Sequence, residues 1–290
     1  MADRFQHIGV VGSGLMGSGI TEVCARAGLG VTVVEVDAAA AERGRARLES
    51  SLATAVRRQK LTEEEAGEAL GRVAYETDLG ALSDRDLVIE AITEDEPAKV
   101  ATFRMLDKVV ARDEAVFASN TSSIPIMKLA TVTSRPEQVV GLHFFNPVPV
   151  LRLVELVTSL MTSDATVERV SEFATATLDK RVIRSQDRAG FIVNALLIPY
   201  LLSAIRMLES GFATRDDIDA GMVEGCAHPM GPLALSDLIG LDTMKAVAES
   251  LYEEFKEQLY APPPLLLRMV EAGLLGRKSG RGFYEYAPRA

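Results

Sequence analysis

The segment Gly12-Ser13-Gly14-Leu15-Met16-Gly17 lies between two apolar runs, Ile8 to Val11 before it and Val31 to Val36 after it. A helix-period pattern from Leu15 to about Ala27 fills the interval. Strand, glycine turn, helix and strand in that order predict a βαβ unit, hence neighbouring parallel strands. Each glycine has its own reason. Gly12 permits the tight turn after the first strand, Gly14 lets backbone approach a pyrophosphate, and Gly17 lets the helix pack closely on the sheet. The helix start adds uncommitted N–H groups and the positive end of its dipole. Ser13, Leu15 and Met16 complete the predicted phosphate loop. Glu35 closes the second strand, and a carboxylate there binds ribose hydroxyls and repels a 2′-phosphate. Val36 and Asp37 follow it rather than an arginine, so NAD is expected over NADP. A plain glycine turn with a surface acid is the competing interpretation.

The alternation continues. Leu87 to Ala91 and Ala115 to Ala118 read as buried strands, with a helix from about Glu96 to Ala111 between them. Ala38 to Lys60 is a long polar helical stretch, and Leu61-Thr62-Glu63-Glu64-Glu65 carries an N-cap and acidic first turn. Gln138 to Leu142 and Leu151 to Val157 are strand-like, and Thr166 to Leu178 is an amphipathic helix. After about Arg184 the alternation fades. Phe191 to Glu209, Asp216 to Glu224, Leu235 to Lys256 and Pro264 to Ala272 are all helical in pattern. The expectation is an α/β chain: a Rossmann-like dinucleotide-binding domain over residues 1–186, then a mostly α-helical C-terminal domain over 187–290.

A length of 290 residues exceeds one ordinary core and suits this division. With 31 basic against 41 acidic residues the net charge is −10, which argues against non-specific nucleic-acid binding. No apolar run reaches the length of a membrane span and no secretory leader pattern opens the chain, so a cytoplasmic protein is expected. Cys24 and Cys226 are expected to be reduced packing residues. Three histidines without metal-ligand spacing predict no metal site.

Oxidising a secondary alcohol requires a base for the hydroxyl proton and polar groups around the oxygen. His143, in His143-Phe144-Phe145-Asn146-Pro147, sits at a strand end and has the right acidity for the base. Glu155 interrupts the apolar run Leu153, Val154, Leu156, Val157, where an unpartnered carboxylate is costly. Two adjacent strands would put it behind the His143 ring, fixing the tautomer. A core histidine satisfied by a strand-edge glutamate fits the same residues. Ser122, in Asn120-Thr121-Ser122-Ser123, could donate to the substrate oxygen or cap a helix before Ile124-Pro125. His7 reads as a packing or solvent residue at the first strand, and His228 as part of a helix-connecting turn.

Gly-Leu-Met-Gly, Asn-Thr-Ser-Ser, His-Phe-Phe-Asn-Pro-Val, Gly-Phe-Ile-Val-Asn, Pro-Met-Gly-Pro and Lys-Ser-Gly-Arg-Gly-Phe-Tyr, in this order, resemble the L-3-hydroxyacyl-CoA dehydrogenase family. The likeness is greatest to its short single-function members, such as bacterial 3-hydroxybutyryl-CoA dehydrogenases. The resemblance implies that His143 is the base, Glu155 its orienting carboxylate, and Ser122 a contact of the 3-oxygen and nicotinamide region. It implies that Asn194 binds the substrate and that Glu94, Lys99 and Asn146 lie around the cofactor. It places Ser51 and Arg58 in a helical arm touching CoA, where Arg57, Arg58 and Lys60 supply positive charge. A solvated helix face is the other reading of that arm. Lys278 either approaches the nicotinamide end or is a simple loop lysine. Fatty-acid metabolism, an acyl-CoA thioester substrate and a homodimer formed through the C-terminal domain are further implications.

Two departures bear on the acyl pocket. The segment Asp187-Arg188-Ala189-Gly190-Phe191 lacks a proline common before that glycine, and Ala195 stands where an arginine often follows the asparagine. The same chemistry on an acyl-carrier-protein thioester or on 3-hydroxyadipyl-CoA is the near alternative. A non-catalytic nucleotide-binding protein is the distant one.

Overall fold

In the computed structural model, which describes residues 5–287, eight strands form one sheet. They are β1 (His7–Val11), β2 (Gly30–Val34), β3 (Val73–Glu76), β4 (Leu87–Glu90), β5 (Val116–Ser119), β6 (Val139–Phe144), β7 (Leu153–Thr158) and β8 (Arg181–Gln186). Their order is β3-β2-β1-β4-β5-β6-β7-β8. Strands β3 through β6 run parallel; β7 turns back antiparallel on β6, and β8 is parallel to β7. The order reverses between β1 and β4, which opens a crevice at their carboxyl ends, where such sheets bind ligands.

Helices α1 (Leu15–Arg26), α2 (Ala38–Arg57), α3 (Glu63–Gly71), α4 (Glu96–Val109), α5 (Ile126–Ala130) and α6 (Asp164–Glu172) belong to the sheet unit. Alternation along the strands assigns their faces. Ile20, Val23 and Cys24 of α1 and Leu48 and Leu52 of α2 share one core with Val10, Val33, Val116 and Ala118. Phe117, between the last two, points the other way and meets Phe103 of α4 edge-on, with ring centroids 6.3 Å apart. The sheet is thus covered on both faces, as its continuous β-branched runs require.

The chain divides into two compact units, residues 1–187 and 188–290. In the second, α7 (Val193–Glu209), α8 (Arg215–Cys226), α9 (Pro232–Ile239), α10 (Leu241–Phe255) and α11 (Pro264–Glu271) enclose a core of Leu201, Leu202, Ile205, Leu233, Met244, Leu251 and Leu266. Buried Asp219 accepts the N–H groups of Leu233 (2.8 Å) and Ala234 (3.0 Å), which Gly231, the N-cap of α9, has no side chain to satisfy. Buried Asp237 accepts the N–H groups of Phe283 (3.0 Å) and Tyr284 (2.9 Å), fastening the C-terminal segment to α9.

Several expectations need correction. The second strand stops at Val34, so Glu35 is the first residue beyond it. The helix expected over Leu235 to Lys256 is two helices, because Gly240 has φ of 102°, a conformation closed to other residues in a helix. The helix expected over Thr166 to Leu178 starts at Asp164 and widens into a π turn over Phe173–Thr177. Cys24 is buried, and burial pushes its thiol up to about 12. Cys226 is exposed on the last turn of α8, so it is not a packing residue.

Candidate active site

The glycine loop leaves β1 at the crevice. Gly12 has φ of 91°, and a Cβ there would lie 2.8 Å from the Ala91 carbonyl oxygen. A Cβ on Gly17 would lie 1.9 Å from the Gly12 carbonyl oxygen, so only glycine lets α1 start this close to the loop. Gly14, by contrast, faces open space, and no side chain caps the N-terminus of α1. Open backbone, uncapped N–H groups and a helix dipole fit a diphosphate. Leu15 is exposed, Met16 is half-buried, and Ser13 is buried. The Glu35 carboxylate accepts from both the N–H and the hydroxyl of Ser13, the latter at 2.8 Å. Gly44 of α2 makes room for that hydroxyl, since a Cβ there would sit 1.9 Å from Ser13 Oγ. The residues present therefore fit a dinucleotide, with the glycine loop open to its diphosphate.

Across the antiparallel β6–β7 ladder, His143 is directly opposite Glu155. Nδ1 of His143 lies 2.7 Å from Oε2 of Glu155, with Glu155 fully buried and His143 7% exposed. A hydrogen bond donated by Nδ1 to an ionised carboxylate would leave the lone pair of a neutral imidazole on Nε2.

Ser122 does not cap α5. That helix starts at Ile126, and its first N–H groups, Ile126 and Met127, both donate at 2.7 Å to the carboxylate of Asp187. The backbone N–H (2.8 Å) and hydroxyl (3.2 Å) of Ser122 instead donate to Oε1 of Glu94. Thr121 Oγ1 donates to the same oxygen at 2.6 Å, and Ser123 Oγ at 3.2 Å. The other Glu94 oxygen lies 3.3 Å from Nζ of Lys99. Burial alone would raise the Glu94 carboxyl; the Lys99 ammonium and the Thr121 and Ser122 donors outweigh it and hold it below the usual carboxylate range. Lys99 is itself buried, and its ammonium lies 2.5 Å from Oε1 of Glu90. Asn120 joins this loop to the histidine strand, its Oδ1 accepting from Phe144 N at 2.9 Å.

The sequence alone assigns no role to Glu90 or Ser119, and Asn120 enters there only as part of the Asn-Thr-Ser-Ser motif. Glu90 carries the signal that exposes Glu155: a carboxylate closing the apolar run Leu87-Val88-Ile89. Asn146 is exposed just past β6. Ser51 lies on α2, half-buried, and Arg57, Arg58 and Lys60 are exposed at that helix's C-terminal end. Asn194 stands in the first turn of α7, in the second unit. Lys278 is there too, with Nζ 2.5 Å from the Asp242 carboxylate. His7 opens β1, and His228 Nδ1 lies 3.2 Å from the Tyr200 hydroxyl. Among the described residues no cluster of three or more His, Cys, Asp or Glu could hold a metal ion. No described helix is long and apolar enough to cross a membrane.

A doubly wound sheet with an open glycine loop, an acid after its second strand and a histidine–glutamate pair has the outline of a nicotinamide-dependent dehydrogenase. The family model for the 3-hydroxyacyl-CoA dehydrogenase NAD-binding domain matches residues 7–188, and that for the C-terminal domain of the same enzymes matches residues 190–286. A Mycobacterium tuberculosis 3-hydroxybutyryl-CoA dehydrogenase is 61% identical over 99% of this chain and 100% of its own. The crystal structure of M. tuberculosis FadB2 superposes with a TM-score of 0.97 at 61% identity, over 98% of this chain and 100% of that one. That of (S)-3-hydroxybutyryl-CoA dehydrogenase PaaH1 from Ralstonia eutropha gives 0.92 at 46% identity, over 98% and 100%. The chain belongs to the 3-hydroxyacyl-CoA dehydrogenase family, and it is an NAD-dependent oxidoreductase.

Proposed function

We propose that this enzyme interconverts (S)-3-hydroxyacyl-CoA and 3-oxoacyl-CoA thioesters, with the four-carbon 3-hydroxybutyryl-CoA as its substrate. The observation that carries the reading is the 2.7 Å contact between His143 Nδ1 and Glu155 Oε2 on a strand end of a dinucleotide fold. Held there by a buried carboxylate, the imidazole presents Nε2 as base. Nε2 takes the proton of the C3 hydroxyl as the C3–H bond breaks, and the resulting imidazolium is stabilised by Glu155. The bound nicotinamide supplies the hydride acceptor. In reduction His143 returns the proton to the C3 oxygen. Ser122 and Asn194 hydrogen-bond the substrate, and Glu35 selects NAD by its ribose. Glu94, Lys99 and Asn146 border the cofactor, and Ser51 and Arg58 meet the CoA moiety. The relatives' names support the chain length and carrier. The helical second unit forms a homodimer in this reading, and the enzyme works in the cytoplasm.

The test is NADH oxidation with acetoacetyl-CoA, longer 3-oxoacyl-CoAs and a carrier-protein-bound acetoacetyl group. The reading expects the highest kcat/KM for acetoacetyl-CoA. Preference for the carrier-bound thioester would overturn the assigned carrier, and preference for long chains the assigned substrate.

A further inference from the structure

Lys99 and Glu90 are the most deeply buried charged pair of the sheet unit's described residues, 1% and 0% exposed. Removing two charges from water is expensive, and such pairs seldom add stability over apolar residues of the same shape. This pair is also not closed on itself. Glu90 is fixed at the end of β4 by three donors: Lys99 Nζ (2.5 Å) and Ile92 N (2.8 Å) on one oxygen, and Ser119 Oγ (2.6 Å) on the other. The ammonium reaches on to Glu94 at 3.3 Å. Glu94 spends its remaining oxygen on Thr121, Ser122 and Ser123. Thr121 Oγ1 in turn accepts from Ser123 N (3.2 Å) and Ile124 N (2.9 Å), which shapes the turn. Asn120 N donates to the Glu90 carbonyl at 2.8 Å, so the loop is tied to Glu90 directly at its start and, through Glu94 and Lys99, at its tip.

We propose that Glu90, seconded by Ser119, is a positioning residue for the dehydrogenase reaction, setting the Ser122 hydroxyl through Lys99 and Glu94. The inference rests on the reading in which Ser122 meets the substrate oxygen. Its logic is electrostatic. A buried lysine facing one carboxylate would follow that carboxylate wherever it moved. Placed between two, with Glu90 immobilised by backbone and β5, it becomes a fixed point, and Glu94 is held from a rigid strand end rather than from its own exposed loop. Displacements near 1 Å at a reacting centre cost on the order of 100-fold in rate. The span from Glu90 to Ser122 therefore matters to kcat, not only to folding.

The experiment separates these roles. Glu90→Gln keeps shape and removes the charge; Glu90→Gln/Lys99→Met removes both charges. Ser119→Ala is a milder variant that deletes one donor and is expected to fold in any case. For each, Tm, NADH affinity by fluorescence titration, and kcat and KM for acetoacetyl-CoA are measured. We expect Glu90→Gln to lower both Tm and kcat, the latter roughly 10- to 100-fold. The double variant should recover Tm but not kcat, since Glu94 has lost its anchor. Ser119→Ala should lower kcat several-fold, with NADH affinity and KM within twofold of the parent. Recovery of kcat together with Tm in the double variant would overturn the proposal and leave a fold-stabilising pair. So would weakened NADH binding with kcat retained, which would assign the Glu90–Lys99 pair to cofactor binding alone. Should Glu90→Gln not fold, Ser119→Ala with unchanged kcat decides against the proposal alone. A parent enzyme inactive on every thioester would refute the functional reading instead, a result distinct from all of these.

Discussion

Glu35 and Ser13 are joined twice: one carboxylate oxygen of Glu35 accepts both the backbone N–H and the hydroxyl of Ser13. The acid proposed to face the ribose is therefore oriented by the glycine loop itself. Gly44 preserves the contact by leaving Ser13 its space. The NAD preference should follow from this carboxylate. Replacing Glu35 with glutamine removes the charge that repels a 2′-phosphate, and kcat/KM for NADPH should rise relative to NADH by tenfold or more, about 1.4 kcal/mol. Steady-state rates with both cofactors check it; an unchanged ratio would place the discrimination elsewhere.

The exposed Arg57, Arg58 and Lys60 sit at the C-terminal end of α2 on an otherwise acidic protein. If they hold CoA phosphates, their replacement by alanine should raise KM for acetoacetyl-CoA several-fold at low salt. The salt sensitivity of KM should fall as well, with kcat altered less. An unchanged KM at low ionic strength would mark the arm as a solvated helix end.

Glu94 lies below the usual carboxylate range, burial being outweighed by Lys99 and the loop donors. A depressed carboxyl contributes stability above its unfolded-state value, near 4.3, and loses it as pH falls through its lower folded value. Glu94→Gln should therefore shift the urea midpoint downward at pH 7. The difference from the parent should shrink steadily below about pH 4. A difference that stays constant through this range would mean that the ionised form is not what matters.

How far the sequence carried this picture depends on where each signal sits. The glycine loop and the buried central strands are local and strong, because continuous Val and Ile runs and a fixed glycine spacing leave few alternatives. The edge strands are not. Val73–Glu76 and Arg181–Gln186 are short, polar and half-exposed, so β3 and β8 carry no clear strand pattern. The start of α5 was illegible for a different reason. Its cap is Asp187, 61 residues beyond Ile126, and no local pattern announces it. Ser122 was accordingly open to reading as a helix cap. His143 and Glu155 were found because a carboxylate in an apolar strand needs a partner; Glu90 answers to the same rule. Ser51, Arg58 and Asn194 came from family resemblance alone.

The two cysteines should behave as a contrasting pair. Cys24 is buried with its thiol pushed to about 12, so almost no thiolate exists at neutral pH. Cys226 is exposed. Titration of the native protein with a disulfide reagent at pH 8 should show one fast thiol per chain, and a second only on denaturation. Two fast thiols would contradict the burial of Cys24.

The central claim is that His143 and Glu155 work as one catalytic unit, and a double-mutant cycle on kcat tests it most directly. His143→Gln should lower kcat by roughly 10²–10⁴-fold, the size of a general-base contribution, with NADH affinity nearly intact. Glu155→Gln should also lower it, because the tautomer is no longer fixed and the imidazolium loses its counter-charge. The account predicts a double variant little worse than His143→Gln alone, since residues that act as a unit are not additive. Two losses that multiply, or a His143→Gln enzyme with parental kcat, would contradict it.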